Sequence, residues 1–445
     1  MRPYQVLLFI AACLCALATL CLVLPHRVQI GTRTLRWPTL AQVFETEKVI
    51  QDDSQLEEFP VAPDSLFAAA EDTIAAEQPA KPRFRAPQPC AEDSLIPKTS
   101  SSNPAPDSRD YLSAFYNALS ESGERVVRVL HYGDSQIEED RMTQQIREAL
   151  QARYGGGGAG LMPLAQTIPG LTVHQELYMN GRKIQPSRLR RHMVYGLKRD
   201  QRADGLYGVM GQVTVMNDSL VAGSEELTAV CTPKAGKHYS RWRVFADDSI
   251  RCTFSGDTVH LSGRGNVYGL SQESATGVIV DNIPMRGCLG LVFTKMSSAQ
   301  LRSFYRDLNV KLIILQYGGN AIPFNEKPGT IAAIVSGLRD QVRYLKSCAP
   351  EASILFIGPS DMMRQTDGEW ESYPLVGYMD RLLRKMAAEE EIAYFSLYTW
   401  MGGAGSMFHW QEIGLAGADG VHFHRAGARK AGNAVAEWLL EKADN

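Results

Sequence analysis

At 445 residues the chain is longer than a usual single domain, so two folded units with additional segments are expected. A hydrophobic fraction of 44% and a charged fraction of 21% are ordinary for a globular protein. The formal net charge of −3, with no basic tract, gives no reason to expect nucleic acid as a partner.

The run from Val6 to Leu24 carries no charge and ends at Pro25. As a helix its 19 residues would be about 28 Å long, close to the apolar thickness of a bilayer. The run ends Cys21-Leu22-Val23-Leu24-Pro25-His26, a poor cleavage site, so an uncleaved anchor over residues 1–25 is expected ahead of a cleaved signal peptide. His26, Arg27, Arg33 and Arg36 follow the run against a simple positive-inside count. The short N-terminal flank nevertheless places the bulk of the chain outside the cytoplasm. Residues 26–108 form an extracytoplasmic stretch and linker. Nine of the 22 prolines fall between Pro60 and Pro106, and such a segment buries too little apolar area to offset its ordering entropy.

Folded structure is expected from residue 109. Tyr111, Phe115 and Leu119 recur at helical spacing, Val126–Leu130 is a short apolar strand, and Glu139–Arg153 has helical periodicity. The glycines from Gly155 to Gly158 follow a helix and lack a Gly-Lys-Ser/Thr ending, which makes them a helix-ending turn rather than a phosphate cradle. Over residues 165–276, short alternating segments such as Thr258–Ser262 predict an inserted β-sandwich. Residues 277–445 return to α/β alternation. Strands are predicted at Gly277–Asp281, Val310–Tyr317, Ser353–Gly358 and Ile392–Ser396. Helices are predicted at Ser297–Asp307, Gly329–Lys346, Leu375–Glu390 and Ala426–Lys442. With the strand before Ser135, five strands alternating with helices predict a doubly wound, three-layer α/β/α parallel sheet, its halves at 109–164 and 277–445. Outside the apolar run the cysteines are Cys90, Cys231, Cys252, Cys288 and Cys348, with no CxxC spacing and so no zinc site. Cys231 and Cys252 either pair or stand as separate buried thiols.

Three distant segments carry chemistry. Ser135, in Gly133-Asp134-Ser135-Gln136, follows a strand and opens a helical pattern, which suits a nucleophile at a sheet edge. His422 is the candidate base, and Asp419, three residues earlier, would hold its tautomer. Asn320, after Gly318-Gly319, closes an apolar strand where a side-chain amide can donate to a developing oxyanion. Backbone donors would be the Ser135 N–H and that of Gly290, with Gly287 the second choice. No metal or organic cofactor is required.

These segments resemble blocks I, II, III and V of the SGNH/GDSL hydrolase superfamily. Gly133-Asp134-Ser135 is similar to block I, Gly290 to the block II glycine, Gly319-Asn320 to block III, and Asp419 with His422 to block V. Gln136 stands where block I usually has leucine, and Ala321 where many members have aspartate. Ser135 and Gly290 are 155 residues apart, and an insert after block I resembles bacterial peptidoglycan O-acetylesterases. His131-Tyr132 and the stretch Asp281–Gly287 also look like anchored SGNH proteins of bacterial envelopes. The resemblance implies a flavodoxin-like sheet, an acyl-serine esterase, a carbohydrate-binding-like insert and an acylated glycan substrate, with peptidoglycan among the candidates. It further implies an inner-membrane anchor with the catalytic domain in the periplasm. An O-acetyltransferase and a non-catalytic glycan-binding protein are the alternatives. Among other residues, His131 and His424 are weaker candidates than His422. Trp242, Tyr268, Trp370 and Trp410 are assigned to cores before sugar contacts. Ser360 and Asp361 are expected at the pocket edge without a catalytic role.

Overall fold

Residues 27–30, 33–36, 84–85, 108–164, 166, 170–184, 193–194, 215–216, 226–234, 239–246, 248–263 and 267–443 are described by the computed structural model. The anchor expected at Val6–Leu24 and most of the linker lie outside the described residues. Among the described residues, no helix is long and apolar enough to cross a membrane. The chain divides into Met1–Pro79 and Ala80–Asn445. The first unit is described by one antiparallel hairpin, Arg27–Ile30 with Arg33–Arg36.

The second unit is built on five parallel strands: β1 (Val126–Gly133), β2 (Gly277–Pro284), β3 (Val310–Gln316), β4 (Ser353–Ile357) and β5 (Ala393–Phe395). Their spatial order is β2-β1-β3-β4-β5. This is the flavodoxin-like order, in which the direction of winding reverses between β1 and β3. The apolar runs in these strands are continuous because both faces are covered. Val127 and Val129, Leu312 and Ile314, and Leu355 and Ile357 face one apolar core. Leu130 and Tyr132, Ile313 and Leu315, and Ile354 and Phe356 face the other.

Helices α1 (Ser113–Leu119), α2 (Thr143–Tyr154), α3 (Ser298–Asp307), α4 (Pro328–Cys348), α5 (Val376–Glu389), α6 (Leu397–Met401), α7 (Ser406–Glu412) and α8 (Arg425–Ala443) complete the layers. The first core takes Ile146 of α2 and Val435 of α8, and the second takes Phe304 of α3, Val342 of α4 and Leu383 of α5. The helix expected from Glu139 starts later, at Thr143. Glu139 and Asp140 have φ of 61° and 66°, so a kinked 3-10 segment, Ser135–Asp140, occupies the first part. Buried Arg147 holds Asp140 in that conformation, joined there by Thr172.

Between α2 and β2, besides the short antiparallel pair Met193–Val194 with Val215–Met216, lie two larger antiparallel sheets. One has the order Arg241–Ala246, Val267–Glu273, Gly160–Met162. The other has Ile250–Ser255, Thr258–Gly263, Leu227–Pro233, Val173–Met179 and Arg182–Ile184. They share a core of Leu177, Ala229, Cys231, Val259, Leu261 and Leu270. The antiparallel pairing therefore begins at Gly160, ahead of residue 165. Cys231 and Cys252 are separate free thiols, and burial pushes Cys231 up to about 12.

The inserted sheets join the parallel sheet through buried charge. Arg128 of β1 donates to Asp281 of β2 at 2.7 and 3.0 Å and to Glu273 of the insert at 2.5 Å. All three side chains are about fully buried. Burial alone would lower the guanidinium, but Asp281 and Glu273 outweigh it and raise it. The glycine run sits at the same junction. Gly156 has φ of 109°, and a Cβ there would lie 2.3 Å from the Val278 carbonyl oxygen, so close backbone approach requires glycine at that position.

A hairpin that sequence periodicity did not show, Met363–Thr366 with Glu369–Ser372, follows β4. Phe84, in the stretch expected to be only a linker, bridges to Trp370 and packs its ring 5.3 Å from Phe408.

Candidate active site

Asp134 follows β1 directly and caps the 3-10 turn that Ser135 opens, its Oδ1 accepting the Gln136 N–H at 3.0 Å. The first N–H groups of such a turn have no partners within it. Asn320 lies in the turn Gly319–Ala321 after β3, and His422 just precedes α8. Ser135 and Asn320 thus flank the crevice where the sheet order reverses, the usual ligand position in open α/β sheets.

Ser135 Oγ is 2.8 Å from His422 Nε2, and His422 Nδ1 is 2.7 Å from Asp419 Oδ2. Asp419 Oδ1 also accepts the N–H groups of Val421 and His422 at 2.9 and 3.0 Å. Burial works to raise the Asp419 carboxyl, but these bonds outweigh it and hold it below the ordinary value. Nδ1 then carries the proton, and Nε2 is left to accept from the serine hydroxyl. Gly420, at φ 68°, turns the loop tightly; a Cβ there would lie 3.0 Å from Trp370 and 3.1 Å from Met363.

Asp134, Ser135, Gly287, Asn320, Pro323 and His422 line a cavity of about 230 Å³. Asn320 Nδ2 donates to Asp134 Oδ2 at 3.1 Å and to the Cys288 carbonyl at 3.3 Å. Burial raises the Asp134 carboxyl to about 6, against the Gln136 N–H, His422 and Asn320, which lower it. Gly290 is not among the lining residues. It is buried, its N–H points to Cys288 Sγ at 3.3 Å, and the space beside its Cα is filled by Tyr317 at 2.8 Å. Gly287, the second choice, does line the cavity, as does Gly319. The neighbouring Arg286 donates to both oxygens of buried Glu138 at 2.7 and 2.5 Å, tying this loop to the serine turn.

Gln136, where block I usually has leucine, contacts the loop that carries His422. Its Nε2 donates to the Val421 carbonyl at 2.6 Å, and its Oε1 accepts the Phe423 N–H at 3.4 Å. It therefore grips the peptide groups on both sides of His422. The signal was present in the sequence as a polar residue at a position usually apolar.

The weaker candidates fall elsewhere. His424 Nδ1 bonds the Gly414 carbonyl. His131 is fully buried between Thr143 Oγ1 and Gln316 Oε1, at 2.9 and 3.1 Å, and burial pushes it down to about 3. Ser360 lines the cavity, whereas Asp361 is buried and accepts from Ser372 Oγ and the Met407 N–H. Trp410 is a core residue and Trp370 and Trp242 pack against cores; the Tyr268 side chain lies outside what is described. Among the described residues, no group of three or more His, Cys, Asp or Glu is arranged to hold a metal ion.

No family model matches the sequence, and no curated protein does. Among solved structures, a peptidoglycan O-acetylesterase is similar over 77% of this chain and 97% of its own, with 20% identity and a TM-score of 0.56. The chain shares that protein's fold. Two further likenesses each cover 37% of this chain. One is to Est24, a carbohydrate acetylesterase from Sinorhizobium meliloti, over 79% of that chain, with 16% identity and a TM-score of 0.28. The other is to an acetyl xylan esterase, over 81% of that chain, with 14% identity and a TM-score of 0.26. The parallel sheet with helices on both faces expected from the sequence is the fold observed.

Proposed function

We propose that the protein is a serine esterase of the SGNH/GDSL type that removes acyl groups, chiefly O-acetyl, from a cell-envelope glycan. The observation that carries this reading is the hydrogen-bonded line Asp419–His422–Ser135 opening onto a small cavity beside Asn320. At about 230 Å³ the cavity falls below the roughly 300–1,000 Å³ usual for drug-sized ligands, so it suits a short acyl group better than a long chain.

In this mechanism His422 Nε2 takes the proton from Ser135 Oγ as the oxygen attacks the ester carbonyl. The negative charge that develops is met by the Ser135 N–H, the Asn320 amide and the Gly287 loop. Asn320 would exchange its longer bond, to the Cys288 carbonyl, for one to the oxyanion. His422 then gives the proton to the departing sugar oxygen as the C–O bond breaks, so the sugar leaves as a free hydroxyl and Ser135 is left acylated. Water, deprotonated by His422, releases the acid and restores the serine. The chain's own residues supply every step.

The uncharged run Val6–Leu24 supports placing the enzyme on the inner membrane with its site in the periplasm, facing the envelope. The insert at 165–276 would serve as the glycan-binding part. The test is acetate release from O-acetylated peptidoglycan and from acetylated xylan, by the protein and by Ser135→Ala. Free acetate from peptidoglycan with wild type only is expected. Acetate from neither, or equal release by Ser135→Ala, would overturn the reading. Acetyl transfer to a sugar hydroxyl without free acetate would make it an acyltransferase.

A further inference from the structure

Beside the cavity, the chain turns outward. Ile322 is buried in the core, the Asn325 N–H bonds its carbonyl at 3.2 Å, and Asn325 Nδ2 bonds the Ala321 carbonyl at 2.6 Å. At the tip of this fixed turn stands Phe324, 84% exposed. Among the described residues the other exposed large apolar side chains are Phe254 at 48% and Ile413 at 52%; neither lines the cavity nor adjoins a residue that does. An aromatic ring presented in water on a rigid turn, one residue from a cavity wall, is suited to cover the apolar face of a ligand.

A second hollow, of about 330 Å³, adjoins the first. Pro323 lines both, and Asn325, Glu326, Arg364 and Tyr373 line only the second. These groups suit sugar hydroxyls. Arg364 donates to Glu371 at 2.9 Å and to Glu326 at 3.4 Å, and its guanidinium lies 5.5 Å from the Tyr373 ring centre. Asn325 spends its amide N–H on Ala321, leaving Oδ1 free to accept.

We propose that Phe324 and this second hollow form a sugar subsite, which holds the residue next to the acylated one while that ester lies at Ser135. The substrate is then an acylated oligosaccharide or polymer rather than a single acylated sugar. This rests on the esterase reading. Contacts at a remote subsite speed the reaction only if a substrate long enough to reach them is bound.

The experiment compares kcat/KM of the full-length protein, Phe324→Ala and Phe324→Tyr. The substrates are O-acetylated chitotetraose, O-acetylated xylotetraose, the matching acetylated monosaccharides and 4-nitrophenyl acetate. Wild type is expected to prefer at least one tetrasaccharide over its monosaccharide by about tenfold or more. Phe324→Ala should lose that preference, Phe324→Tyr should keep most of it, and all three should turn over 4-nitrophenyl acetate within about twofold. No length preference in wild type, or the same preference in Phe324→Ala, would overturn the subsite and leave the esterase reading standing. So would an equal loss on the small ester, because Phe324 would then shape the catalytic cavity. Inactivity of wild type on every ester would overturn both.

Discussion

Gln136 touches neither Ser135 Oγ nor the His422 ring, yet it holds the peptide groups on either side of His422. Gln136→Leu places the side chain usual in SGNH proteins at this position, and it removes both bonds. Its kcat on 4-nitrophenyl acetate should fall by about 10- to 100-fold, since small displacements of a base cost rates of that order. The measurement is steady-state kinetics beside a melting curve; an unchanged kcat would show that the loop holds His422 unaided. Asn320→Ala should lower kcat by about 10²–10³, the usual loss for one oxyanion donor. A kcat within threefold of wild type would assign the amide to Asp134 and Cys288 alone. The grouping of Ser135, His422 and Asp419 was legible because the three sit in short segments whose residue types and order suggest it. The choice between Gly290 and Gly287 was not, because it depends on the path of a loop whose buried member packs under Tyr317. Phe324 was not legible either, since a sequence does not show which phenylalanine lies outside the core.

Strands and helices followed the hydrophobic pattern wherever an element had a long buried face. The start of α2 did not, because Asp140 bonds to Arg147 and Thr172 and holds two residues at positive φ. The hairpin Met363–Ser372 escaped for the opposite reason: Arg364, Gln365, Thr366, Glu369 and Glu371 give it no apolar alternation. The buried polar side of β1 has its own consequence. His131 is held neutral down to about 3, against an ordinary 6.5. Below pH 6.5 the unfolded chain takes a proton that the folded ring refuses, so this residue makes stability fall as pH drops from 6.5 towards 3. His131→Gln keeps a polar side chain between Thr143 and Gln316 but cannot titrate. Its melting temperature should decline less between pH 7 and pH 5 than that of wild type. Parallel declines in the two proteins would contradict the assignment.

Across the whole molecule, the inserted β-sheets and the parallel sheet are coupled through Arg128, Glu273 and Asp281. Arg128→Leu leaves Asp281 buried without its cation and Glu273 with Arg241 alone. It should cost about 3–5 kcal/mol in equilibrium denaturant unfolding. A loss below about 1 kcal/mol would mean that water or a rearranged partner replaces the arginine. Sequence texture suggested that β-structure interrupts the two α/β halves. It did not show that the domain is joined to β1 and β2 by buried ions, since charges distant in sequence give no sign of their pairing. The same frame fixes Ser135 at the end of β1, and the whole account rests on that serine. The most direct test is 4-nitrophenyl acetate turnover by wild type, Ser135→Ala and His422→Ala, with folding of each checked by melting. Wild type is expected to turn the ester over, and both variants to fall by at least about 10³-fold. Equal rates in all three, or none in folded wild type, would contradict it.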